Sequence, residues 1–129
     1  FFMRVEFDPG GAERDGLRAQ FAPLAGELGM EWTLAARDRA RRAMIMVSKF
    51  DHCLADLLYR YRIGELAMEP VAIVSNHPRA AIRHTDIGNI PFHHLPVNPA
   101  TKASQEAQVR AVAAESGAEL VVLARYMQI

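Results

Sequence analysis

Asp51, His52 and Cys53 stand side by side just after an apolar run, residues 43–47. A carboxylate, an imidazole and a thiol are the parts of a nucleophilic acyl-transfer site. Their spacing argues against that use, because consecutive residues of a helix do not face one another. Cys53 reads as a small core residue at a helix start, and Asp51 as the helix N-cap. Lys49 is placed to meet an anionic ligand, although a solvated lysine is the plainer reading. His93 and His94 alternate sides of a predicted strand, and His77 and His84 lie in separate turns or a short helix, so the five histidines do not make a metal site. Asn76-His77-Pro78 ends another predicted strand, where turn formation alone explains it. Met44 and Met46 read as packing. Met127, just after the last predicted strand, is the methionine placed to touch a ligand.

The elements that must position these residues follow from periodicity. Residues 43–47 form an apolar strand, 48–51 a polar turn, and Leu54, Leu57, Leu58 and Tyr61 recur at i, i+3, i+4, i+7, which predicts an amphipathic helix ending near Ile63-Gly64. A second strand is predicted over 71–74 after Pro70, a short helix over 79–85 and a third strand over 90–95. An alanine-rich helix over 103–115 precedes a fourth strand, 120–124, whose purely apolar sequence predicts burial on both faces. This β-α-β-α-β-α-β order predicts a parallel α/β sheet with right-handed crossovers; if the sheet is Rossmann-like, its strand order is 3-2-1-4. Ligands of such sheets collect outside the carboxyl ends of the strands, where strand order reverses. The loops 48–52 and 125–129 meet at that point.

Ahead of this lies a second pattern. Residues 1–7 are β-prone, with Met3, Val5 and Phe7 on one face. Leu17, Phe21, Leu24 and Leu28 recur at helical spacing around Pro23, which should kink the helix or mark a late start. Residues 30–35 read as another strand carrying Trp32 and Leu34. The expected organisation is a β-α-β unit over 1–36, a linker over 37–42, and the α/β unit over 43–129.

The chain has 129 residues, 50% of them hydrophobic and 23% charged, with zero formal net charge. That balance gives no broad attraction to nucleic acid or to anionic membrane. One cysteine excludes an internal disulfide framework and suits a reducing, cytoplasmic setting. No apolar run approaches a membrane span. The first turn has no glycine, so the close backbone approach of a dinucleotide or nucleoside triphosphate is disfavoured. Opening on a strand-like run without an initiator Met, and closing just after a strand, the chain is expected to be an internal piece of a longer protein.

The blocks MIMVSKFDHCLADLLYRYRIGEL, VAIVSNHP, IPFHHLPV and ELVVLARYMQI together resemble the formyltetrahydrofolate deformylase family. The resemblance implies an incomplete formyltransferase-type sheet, preceded by the last β-α-β of an ACT domain. It implies hydrolysis of 10-formyltetrahydrofolate to formate and tetrahydrofolate, supplying purine synthesis and adjusting the one-carbon folate pool. A carboxylate and a histidine would activate water, and the histidine with an asparagine would hold the oxyanion. All three are expected beyond Ile129, so no catalytic residue is assigned here and the piece alone is expected to be inactive. The implied substrate-binding residues are Leu123, Met127, Gln128 and Ile129, with Ser48, Lys49, Phe50 and Asp51 in place of a glycine-bearing phosphate loop. No metal or cofactor is implied, the folate being substrate. A homo-oligomer is expected of the full-length protein. The rival readings are a non-catalytic ligand-sensing module and a formyltransferase with an amine acceptor.

Overall fold

Ala43, Met44, Ile45, Met46 and Val47 are all buried, although consecutive strand residues point to opposite faces. The strand that carries them must therefore be covered on both sides. In the computed structural model, which describes residues 2–36 and 39–128, it is. The chain divides into two units, Phe1–Asp38 and Arg39–Ile129.

In the second unit β1 (Arg41–Val47) is followed by α2 (His52–Arg62), β2 (Met68–Ser75), a 3-10 turn (Arg79–Ile82), β3 (Phe92–His94), α3 (Lys102–Glu115) and β4 (Leu120–Ala124). All pairings are parallel and the strand order is β3-β2-β1-β4, as predicted. Ala43, Ile45, Val47 and Ile73 face a cluster with Leu54 and Leu58 of α2 and with Ile82 and Ile87. Met44, Met46, Ala72 and Val74 face Val112 of α3 and Tyr126. Helix α2 thus covers one face and α3 the other. Glycines with positive φ, Gly64 and Gly117, stop these two helices.

Three expectations change. Pro70 lies inside β2 rather than before it. Ala43 pairs with Pro70 and Met44 with Ala72, so Val71 is an extra residue at a bulge, and β3 pairs only from Ile73 onward. A proline is tolerated where a strand is bulged and free on one side. Strand β4 is not buried on both faces: Leu120, Val121 and Leu123 are exposed, because β4 pairs with β1 alone among the described residues. The short helix predicted over 79–85 contracts to a single 3-10 turn.

In the first unit α1 (Arg14–Glu27) runs through Pro23, and Gly29 with φ 59° follows its end. Phe21 packs edge-on against Trp32, ring centroids 4.9 Å apart, while Arg18 lies over the same indole and donates to the Leu34 carbonyl. The flanking segments 2–7 and 30–36 form no strand. The expected strands lack a ladder partner among the described residues, and Met3, Val5 and Phe7 are exposed. Of the linker predicted over 37–42, Arg37 and Asp38 lie outside the described residues, and Arg41 and Arg42 belong to β1.

The start of β4 is held by Glu119. Its carboxylate accepts from the Arg39 guanidinium and from the Arg42 backbone N–H, the latter at 3.1 Å. The Arg39 side chain first, and the Arg42 N–H second, hold this carboxyl below its ordinary value of 4.5. A lowered folded-state pKa makes the contribution complete above that value and lost as pH falls through the folded one. Glu119→Gln should therefore lower the urea midpoint at pH 7, with variant and parent converging at the acid end of a pH series. Ile45→Ala, at a fully buried central position, should cost about 2–5 kcal/mol in the same urea measurement.

Candidate functional site

Parallel register sets the strand ends side by side. Val47 pairs with Ser75 on one side and Ala124 on the other, and Ser75 pairs with His94. The segments that follow these residues emerge along one edge of the sheet. The chain leaves β1 toward the α2 face, while Tyr126, after β4, is buried on the α3 face, so the two neighbouring strand ends part between the layers. This is the reversal point at which open α/β sheets bind ligands.

The two loops touch there. Arg125 Cζ stands 4.8 Å from the Phe50 ring centroid, and Lys49 Nζ stands 5.9 Å from it. Both distances are within cation–π range. Arg125 has φ 60°, the one non-glycine residue with positive φ among the described residues. A side chain in that region costs roughly 1–2 kcal/mol. Strain of this kind is retained where surrounding structure imposes it, and it clusters at functional sites.

Polar contacts brace the loops from both faces. Asp51 occupies the N-cap position of α2 but makes no capping bond, contrary to expectation. Its φ and ψ of −104° and 2° are not the extended geometry of a capping residue. Its carboxylate instead accepts from Thr85 Oγ1 at 2.6 Å, while the Thr85 carbonyl accepts from Arg79 at 2.8 Å. On the other face the buried Gln105 amide donates to the Tyr126 hydroxyl at 2.8 Å and lies 3.5 Å from the Leu95 carbonyl. Burial pushes the Tyr126 phenol above its ordinary range. Ser75 Oγ accepts from the His77 N–H at 3.0 Å, closing the turn after β2. Beside it Asn76 Oδ1 is buried with no hydrogen-bond partner among the described residues.

Of the residues singled out from sequence, Ser48 and Asp51 are half-buried, and Lys49, Phe50, Leu123, Met127 and Gln128 are exposed. The structure brings Lys49 and Phe50 to the β4 exit through Arg125. Met127 and Gln128 follow on that same exit, Leu123 lies one residue before the end of β4, and Ile129 is outside the described residues. Cys53 is a half-buried free thiol packed against the α2-face cluster. Arg125, Tyr126, Gln105 and Thr85 carry site geometry that sequence reasoning missed. An arginine in a glycine-like conformation leaves no trace in sequence. Among the described residues no three His, Cys, Asp or Glu side chains group to hold a metal ion.

A cleft of about 440 Å³ opens instead at the amino ends of the strands, lined by Arg42, Arg62, Glu69, Pro70, Ile87 and Pro91 among others. Its volume does not make it the site. Arg42 already donates to the Ser116 carbonyl at 2.7 Å, and Arg62 pairs with Asp86 at 3.2 Å. The carboxyl edge has the loop convergence and the strained residue.

A family model described as formyl transferase matches residues 41–129. The chain is 44% identical, over 99% of its length, to a formyltetrahydrofolate deformylase of Corynebacterium sp. (strain P-1), covering 45% of that protein. It is 36% identical over its whole length to the Bacillus subtilis (strain 168) protein of that name, covering 43% of it. The chain thus spans less than half the length of these curated relatives. Among solved structures, a formyltetrahydrofolate deformylase from Burkholderia mallei superposes with TM-score 0.71 at 49% identity, over 89% of this chain and 41% of that one. One from Pseudomonas syringae pv. tomato gives TM-score 0.79 at 37% identity, over 92% and 40%.

Tyr126→Phe removes the acceptor of a buried amide and should destabilise by about 1–2 kcal/mol, read as a lower urea midpoint. Thr85→Val should loosen the first turn, read as faster amide exchange at residues 50–52 with little change at 44–46.

Proposed function

The chain belongs to the formyl transferase family, and from that premise we propose that it is part of an enzyme hydrolysing 10-formyltetrahydrofolate to formate and tetrahydrofolate. One observation carries this reading. The family match starts at residue 41, but similarity to proteins named formyltetrahydrofolate deformylase runs over 99% and 100% of the chain, the first unit included. The formyl transferase match lies within the second unit alone, whereas these relatives, named for deformylation, are similar over both units.

In this reading the chain supplies binding surface at the reversal point. Met127 and Leu123 offer exposed apolar side chains at the end of β4, suited to a pterin ring, and Gln128 offers an amide to the ring's polar edge. Ile129 would extend the apolar side. Ser48, Lys49, Phe50 and Asp51 form the opposing wall. The product formate would serve purine synthesis, and the tetrahydrofolate would rejoin the one-carbon pool. No helix among the described residues is long and apolar enough to cross a membrane, and the single free cysteine fits a cytoplasmic setting.

The full-length protein carrying this chain should release one formate per tetrahydrofolate from 10-formyltetrahydrofolate. Transfer of the formyl group to an amine without formate release would overturn the reading. Met127→Ala should raise KM for the folate about fivefold with kcat little changed, the equivalent of about 1 kcal/mol of lost apolar contact.

A further inference from the structure

Phe50 and Arg125 come from different loops and meet across the crevice between the ends of β1 and β4. Each is exposed, and neither belongs to a core cluster. Among the described residues the Arg125 side chain makes neither ion pair nor hydrogen bond; its guanidinium rests on the Phe50 ring. Its backbone is held in the left-handed region. With the backbone so held, the one contact made by the Arg125 side chain is the ring across the crevice.

We propose that the Phe50–Arg125 stack is a selectivity plug that admits water to the formyl carbon and excludes an amine acceptor. The inference rests on the hydrolytic reading above and deepens it. With the pterin against the β4 exit, an acceptor must approach from the first turn, where Phe50 stands. In hydrolysis the bond from the formyl carbon to the folate nitrogen breaks, a bond from that carbon to the water oxygen forms, and a proton from the water goes to the folate nitrogen. An amine would form a carbon–nitrogen bond instead, and its nitrogen would supply the proton. The two outcomes differ in acceptor bulk, and a ring capped by a guanidinium bridges the space the larger acceptor needs. Lys49, on the same ring, holds Phe50 from its own loop.

The test uses the full-length protein, 10-formyltetrahydrofolate and glycinamide, at a pH above the ordinary α-amino range so that its amine is neutral, and reads the ratio of N-formylglycinamide to formate. Arg125→Gly places at this position the residue that adopts positive φ without strain. Phe50→Ala removes a ring that is already half exposed. The unmodified protein should give formate alone, and both variants should give N-formylglycinamide at about one tenth of the formate or more, a remaining discrimination of about 1.4 kcal/mol at most. Formate release at an unchanged ratio in both variants would overturn the plug and leave the hydrolytic reading standing. Loss of both products in Arg125→Gly would also overturn it, since a plug is not needed for turnover. Formyl transfer by the unmodified protein would overturn plug and hydrolytic reading together.

Discussion

The structure of the second unit depends on one strand buried on both faces. Ala43, Met44, Ile45, Met46 and Val47 leave no side of β1 to water, so two helical layers must form and the connections must alternate between them. Once β2 and β4 pair with β1 in parallel, the register at Val47 also decides which loops are neighbours. The candidate site is thus a by-product of core packing. Its position is set by apolar residues that touch no ligand, and its chemistry by the few residues that follow each strand.

How far this was legible from sequence differs from residue to residue. Leu54, Leu57, Leu58 and Tyr61 carry the period of a half-buried helix, and Gly64 marks its stop, so α2 could be placed within two residues. Element order and the hand of parallel crossovers narrowed the strand order, and the observed β3-β2-β1-β4 is the one expected of a Rossmann-like sheet. The apolar run 120–124 was ambiguous, since hydrophobicity reports what a strand tolerates rather than which of its faces is covered. Met3, Val5 and Phe7 misled in the same way: β propensity needs a partner to become a ladder. Asp51 showed a different limit. Its sequence position suits an N-cap, but a hydroxyl 34 residues away took its carboxylate, and no local rule anticipates that.

The site's least readable part is its most constrained. A glycine after β4 would have announced a left-handed turn; an arginine there conceals one. The fold tolerates the strain because Tyr126, the next residue, is anchored in the α3-face cluster and fixed by Gln105. Arg125 is caught between the end of a paired strand and a buried ring, with one conformation to join them. The two faces of the sheet thereby divide the labour: Thr85 and Asp51 steady the first turn from the α2 side, and Gln105 and Tyr126 steady the β4 exit from the α3 side.

The contrast in methionine exposure sets an order of chemical damage. Met44 and Met46 are sealed inside the sheet's core, whereas Met127 is 78% exposed at the crevice. Thioether oxidation follows access, and the sulfoxide is polar where the thioether was not. Peroxide would therefore convert the proposed pterin contact while the folded framework is still intact. Ageing of this protein would first appear as weakened ligand affinity, well ahead of any loss of tertiary structure, and a methionine sulfoxide reductase would restore it without refolding.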